Sequence, residues 1–136
     1  MWQWLPSDGA QRIALTNERT GHVIASSVEL ALTRRARSVG LLGHSGIDPT
    51  VALVLAPCFM IHTAFMRFPI DVLFVDRLGY ALRLVHALKP WRATGSAGAY
   101  AVIELAAGVL ARNGVVFGDR ILLEPAASRQ PVQRIA

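Results

Sequence analysis

The sequence predicts a mainly β fold with two short helices, an α+β domain whose mostly antiparallel strands form a compact barrel or sandwich. Short apolar runs recur along the chain and are separated by glycine, proline and asparagine, which is the punctuation of strands and turns. Only two stretches, 26–39 and 106–113, carry apolar residues at helical spacing. The chain has 136 residues, 53% of them hydrophobic and 17% charged, enough apolar material for one core in one domain. Residues 1–11 read as an N-terminal leader, 12–124 as a single globular domain and 125–136 as a flexible tail.

The elements follow in order. Arg12–Leu15 and His22–Ala25 flank the turn residues of Asn17–Gly21 and form a first hairpin. Ser26 opens a helix, because its hydroxyl and Glu29, three residues on, make a capping box. Val28, Leu32, Ala36 and Val39 then recur on one helical face, and Gly40 and Gly43 stop the helix. Val51–Leu55 is a continuous apolar run ending before Pro57, the pattern of a buried strand. Ile61–Arg67 is a further strand, interrupted at Pro69, which has no N–H to pair. Asp71–Asp76 is the next, and Asp76-Arg77-Leu78-Gly79 suits a type I turn with glycine in the left-handed position. Tyr80–Leu88 returns antiparallel, with Asp76 opposite Tyr80, Phe74 opposite Leu82 and Val72 opposite Leu84. One face of this hairpin is apolar on both strands, and the other, with Asp71, Leu73, Val75, Arg83 and Val85, is too apolar to be fully wet, so the hairpin is expected to be covered on both sides. Lys89–Gly98 is a loop, Tyr100–Leu105 a strand, Ala106–Asn113 a short helix closed by Gly114, and Arg120–Glu124 the last strand.

The formal net charge is +5, which favours anionic partners. Arg34, Arg35, Arg37, Lys89 and Arg92 supply much of it, but the basic residues are scattered and form no specific nucleic-acid module. Cys58 is the only cysteine, so no internal disulfide forms. That and the absence of a signal-peptide pattern at the N-terminus lead to the expectation of a cytoplasmic protein. The uncharged run 49–66 is nearly long enough to span a bilayer, but Pro57 and His62 lie inside it and short strands explain it better than a transmembrane segment.

The segment from Pro57 to Asp76 is almost wholly apolar, yet Cys58, His62, Arg67 and Asp71 are set into it. A lone charge in a core is costly, so Arg67 and Asp71 are expected to pair with each other. The structural version is a salt bridge fastening the bend at Pro69 to the helix end or to Glu104. The functional version is an anion site in which Arg67 points into a cleft and Asp71 or Glu104 holds it. Glu104 has two open roles: capping the helix that begins near Ala106, or acting with Asp71 as an acid–base pair. Cys58 and His62 could pair as thiolate and imidazole, although a lone cysteine in an apolar run is usually a small hydrophobe. His22, His44, His62 and His86 are dispersed, so neither a metal nor a cofactor is expected. Gly118-Asp119 reads as a turn.

Three blocks give the chain a family likeness. The first is Thr33-Arg34-Arg35-Ala36-Arg37 with Gly40-Leu41-Leu42-Gly43. The second is Pro57-Cys58, His62-Thr63 and Met66-Arg67-Phe68-Pro69-Ile70-Asp71. The third is Val102-Ile103-Glu104-Leu105, Gly108 and Gly118-Asp119. In order and spacing these resemble the family called domain of unknown function 192, over roughly residues 12 to 124. Val39, His44, Phe59, Met60, Ala64 and Phe65 depart from its usual residues. The resemblance implies a compact β-rich fold with a helical decoration and no particular activity. Within its shared pattern Arg37, Gly40, Gly43, Met66, Pro69, Gly108 and Asp119 are expected to be structural. The function expected from residues and resemblance together is a non-enzymatic accessory domain that binds a small anionic ligand or another protein through His62, Arg67, Asp71 and Glu104. Two alternatives stand beside it: a small hydrolase using His62 with Asp71 or Glu104, and a purely structural polar cluster.

Overall fold

The computed structural model describes residues 12–33, 40, 41 and 43–126. Among these are ten strands and one short helix. The strands are Ile13–Asn17 (β1), Val23–Ala25 (β2), Ser27–Ala31 (β3), Val51–Leu55 (β4), Met60–His62 (β5), Ile70–Val75 (β6), Ala81–Leu88 (β7), Ala93–Gly95 (β8), Ala101–Ala106 (β9) and Ile121–Pro125 (β10). The helix, α1, is Val109–Arg112.

The strands form three sheets: β10-β1-β2, β3-β4-β9-β6-β7 and the ribbon β5-β8. All pairings are antiparallel except β3 with β4, which is parallel. The sheets do not close into a barrel among the described residues. The fold is mainly β, as expected.

The inner strands of the five-stranded sheet, β4, β9 and β6, are buried on both faces. Period-two alternation sends Val54, Leu73, Val75, Ile103 and Leu105 to one side, where they meet Ile13, Leu15 and Leu123 of the three-stranded sheet and Val109 and Leu110 of α1. Leu53, Leu55, Ile70, Val72, Phe74 and Val102 point the other way and pack with Leu41, Ile61 and Met66. All six residues of β6 are consequently buried, the double cover that its unbroken apolar run requires.

Several expectations are corrected. The helix opening at Ser26 is not formed over its first turns: Ser27–Ala31 is β3, and the capping box is absent. The segment alternates, with Val28 and Leu30 on the α1 side and Ala31 on the other, and it supplies an edge partner for β4, Ser27 pairing with Val51 and Ala31 with Leu55. Tertiary pairing thus overrides a helical spacing that rested on few residues. The remainder of that helix, 34–39 with Arg34, Arg35 and Arg37, lies outside the described residues, as do the leader 1–11 and residues 127–136 of the tail. Pro125 belongs to β10 rather than to the tail. The strand expected over 61–67 shrinks to β5, and the loop 89–98 contains β8, its partner. The second helix is one turn long and begins at Val109, after Gly108, which sits at φ 92°.

The turn after β6 forms as expected. The Gly79 N–H donates to the Asp76 carbonyl at 3.1 Å, and Gly79 takes φ 89°, open to glycine at little cost. The Asp76 N–H donates to Tyr80 O at 3.0 Å, and Asp76 Oδ1 accepts from the Leu78 and Tyr80 amides. Past the turn the register slips by one. A bulge at Phe74/Val75 places Phe74 opposite Arg83 and Val72 opposite Val85, not Leu82 and Leu84. A one-residue slip exchanges the two faces of β7, so Leu84 joins the α1 side and Val85 the other.

Candidate functional site

Asp71 is fully buried, and its charge is met by backbone rather than by Arg67. On β7, residues 85 to 88 span the space that 70 to 72 occupy on β6, so the strand bulges. Ala87 takes φ 48° there, and its N–H donates to Asp71 Oδ1 at 2.9 Å. The other oxygen, Oδ2, accepts the Gly108 N–H at 3.1 Å and the Leu110 N–H at 3.0 Å. The start of α1 has no side-chain cap of its own, so a carboxylate from a neighbouring strand takes that place. This corrects the expected Arg67–Asp71 salt bridge. Arg67 lies exposed in the bend before Pro69, outside β6, and no ion pair joins it to Asp71. It also corrects the expected cap, since Asp71 does what was assigned to Glu104.

Glu104 points to the opposite face of the sheet. In register it stands between Leu53 of β4 and Val72 of β6, and it is 5% exposed. Its Oε2 is buried with no hydrogen-bond partner among the described residues. Burial alone pushes the carboxyl from its ordinary 4.5 up to about 7. Asp71 and Glu104 therefore form no acid–base pair: adjacent strands carry them on opposite sides of one sheet.

A third polar node joins the sheet ends. Asp119 is buried and accepts from Asn17 Nδ2 at 2.8 Å, Arg19 Nε at 2.6 Å, Arg19 Nη2 at 3.1 Å and the Val116 N–H at 2.9 Å. The Arg19 hydrogen bond leads in holding its carboxyl down to about 2, with Val116 and Asn17 adding to it against desolvation. A carboxylate with a depressed pKa stabilises the fold above its ordinary value of 3.8, and that contribution is lost as pH falls toward 2. Thermal melts of the wild type should therefore drop between about pH 4 and pH 2 more steeply than those of Asp119→Asn; parallel curves would refute the assignment.

His62 and Cys58 both line one cleft. Pro57, Cys58, Phe59, Met60, Ile61, His62 and Ala93 line an open hollow of about 370 Å³ along the β5–β8 ribbon. His62 is exposed at the ribbon's outer face, directly opposite Ala93. Cys58 Sγ donates to the Met60 carbonyl at 3.2 Å, a thiol's bond. Among the described residues no hydrogen bond links His62 to a carboxylate. Both Asp71 oxygens are taken by backbone N–H groups, and Glu104 is sealed in the sheet. The hydrolase alternative thereby lacks the base–orienter pair that it needs. The described residues hold no cluster of His, Cys, Asp and Glu able to hold a metal ion.

Thr63 fixes this lobe. It is wholly buried, and its hydroxyl donates to Lys89 O at 2.7 Å and accepts the Arg92 N–H at 2.9 Å. Its own N–H donates to Arg92 O at 2.7 Å and its carbonyl accepts the Trp91 N–H at 2.9 Å. One residue thus binds the 63–66 turn to the 89–92 loop. The sequence offered no sign of this hub beyond the His62-Thr63 pair of the second block.

No helix among the described residues is long and apolar enough to cross a membrane. No curated protein matches the chain. Two solved structures share its fold. One is a crystal structure of a candidate transcription regulator from Sinorhizobium meliloti 1021, with TM-score 0.73 and 25% identity over 83% of this chain and 92% of that one. The other is a protein of unknown function from Novosphingobium aromaticivorans DSM 12444, with TM-score 0.70 and 24% identity over 86% of this chain and 89% of that one. A family model described as DUF192, "Uncharacterized ACR", matches residues 15–123. That span contains β6, β9 and the Asp71 cap between them, and the chain belongs to the domain of unknown function 192 family.

Proposed function

We propose that the chain is a non-enzymatic binding domain and that the cleft beside His62 receives an amphipathic anion. The observation that carries this is an apolar hollow formed by stretches of chain that carry basic residues and no acidic ones. From 49 to 70 and from 77 to 103 the sequence contains neither Asp nor Glu, while His62, Arg67, Lys89 and Arg92 fall within those stretches. Pro57, Phe59, Met60 and Ile61 offer the apolar body of a ligand a wall, and His62, which pairs with Ala93, and Arg92, next to Ala93 in sequence, are the groups to meet a negative head. Arg67, exposed on the connection after β5, adds a third charge. Of the four residues first expected at the site, His62 and Arg67 remain; Asp71 and Glu104 belong to the frame.

Calorimetric titration with octanoate tests the proposal. The wild type should give a saturable isotherm, and Arg92→Ala should weaken it about tenfold, the loss of one charge-assisted contact. Arg67→Ala should weaken it less. Ala93→Leu, which fills the hollow, should abolish binding without lowering the melting temperature. A flat wild-type isotherm, or binding indifferent to Ala93→Leu, removes the cleft as the site.

A further inference from the structure

Large apolar side chains are exposed outside the cleft as well. Phe65 is 71% exposed and Trp91 60% exposed, and neither lines the hollow. Their rings pack on one another, with centroids 4.6 Å apart and planes tilted by 59°. Both residues take left-handed backbone angles, φ 65° and φ 64°, a conformation costly for bulky side chains. Strain of this kind persists only where surroundings impose it, and here the Thr63 hub does so. It spends four hydrogen bonds holding two large aromatics out of the core. Phe59 and Met60, at the start of β5, are exposed as well. Lys89 and Arg92 bracket Trp91 in sequence, Arg67 follows Phe65 by two, and no acidic residue lies within either stretch.

We infer that this tip docks on the interface of a bilayer containing anionic lipid. Phe65 and Trp91 enter the headgroup layer, where aromatic rings are favoured, and Lys89, Arg92 and Arg67 meet the lipid charge beside them. The tilted packing decides against a single-stranded nucleic acid. Each ring is partly covered by the other, so the pair offers a knob and not the open platform that successive bases stack on. The aromatic anchors Phe65 and Trp91 are not cleft residues, although Arg67 and Arg92 serve both readings. Soluble octanoate tests one and vesicles test the other, so either can fail alone.

The experiment is co-sedimentation of the full chain with vesicles of phosphatidylcholine, and of phosphatidylcholine mixed with phosphatidylglycerol. The wild type should sediment with the mixed vesicles only, and less so as salt rises. Phe65→Ser with Trp91→Ser should lower the partition coefficient at least about tenfold, the loss of two interfacial anchors. Lys89→Gln and Arg92→Gln should each lower it about fivefold. These charge variants keep the test decisive should the aromatic double variant fold poorly. Failure to sediment with mixed vesicles, equal sedimentation with both kinds, or partition indifferent to all these substitutions overturns the inference. So does release from the vesicles by a low concentration of oligothymidylate, which would move the tip to nucleic acid.

Discussion

Replacing Asp71 with alanine is expected to destabilise the fold by about 3–5 kcal/mol, enough to unfold a domain of ordinary stability or bring it close. Three backbone N–H groups, on Ala87, Gly108 and Leu110, would lose their acceptor in a buried place. Each stranded donor costs about 1–3 kcal/mol. The same substitution releases the β7 bulge and the start of α1 together, so the loss is concentrated in one residue. Asp71→Asn should cost less, about 2 kcal/mol, since one oxygen survives while the amide sets a donor against donors. Arg67→Ala supplies the contrast. It should leave the unfolding free energy within about 0.5 kcal/mol of wild type, as an exposed residue does. Urea titrations of the three variants check this, and equal losses for Arg67→Ala and Asp71→Ala would restore the salt bridge and discard the cap.

Glu104 should make the folded chain less stable as pH rises from about 5 to about 8. In the folded state its carboxyl keeps a proton up to about 7, whereas in the unfolded chain it releases it near the ordinary 4.5. Between those values the folded state binds more protons, so stability falls with pH. The full difference amounts to about 3 kcal/mol. Glu104→Gln carries no proton to lose and should hold its stability flat across that window. Denaturant midpoints at pH 5 and pH 8 for both proteins decide it; matching wild-type and variant slopes would mean that the carboxyl is hydrated after all. The sign is opposite to that of Asp119, whose contribution appears as pH rises above its depressed value.

Much of the frame was legible before any coordinates. Val51–Leu55 is β4 to the residue, because a continuous apolar run ended by Pro57 leaves little else to form. The Asp76–Gly79 turn was legible because its chemistry is local: an aspartate side chain closing on nearby amides and a glycine at positive φ. What failed was non-local. Ser27–Ala31 became a strand because β4 offered it an edge, and nothing in its own residues announces that partner. The hairpin register slipped because a bulge is set by packing on both faces, not by the turn. The polar cluster was found but wrongly wired. That Asp71 had to be neutralised was sound electrostatics; that the neutralising groups were three amides from β7 and the α1 start required the fold. Glu104 shows the converse limit. Its burial follows from β9 being a central strand, and no residue near it in sequence betrays a missing partner.

The described body begins and ends on neighbouring strands. Ile13 pairs with Pro125, Asn17 with Ile121, and the Ala126 N–H donates to Arg12 O at 2.7 Å. Because the two strands run antiparallel, both ends leave from the same side of the pair. A pull applied across them loads the outermost rung first and then each rung in turn, like a zipper, so tension never spreads over the seam at once. Mechanically the fold is soft along its own end-to-end line, however stiff its doubly covered central sheet.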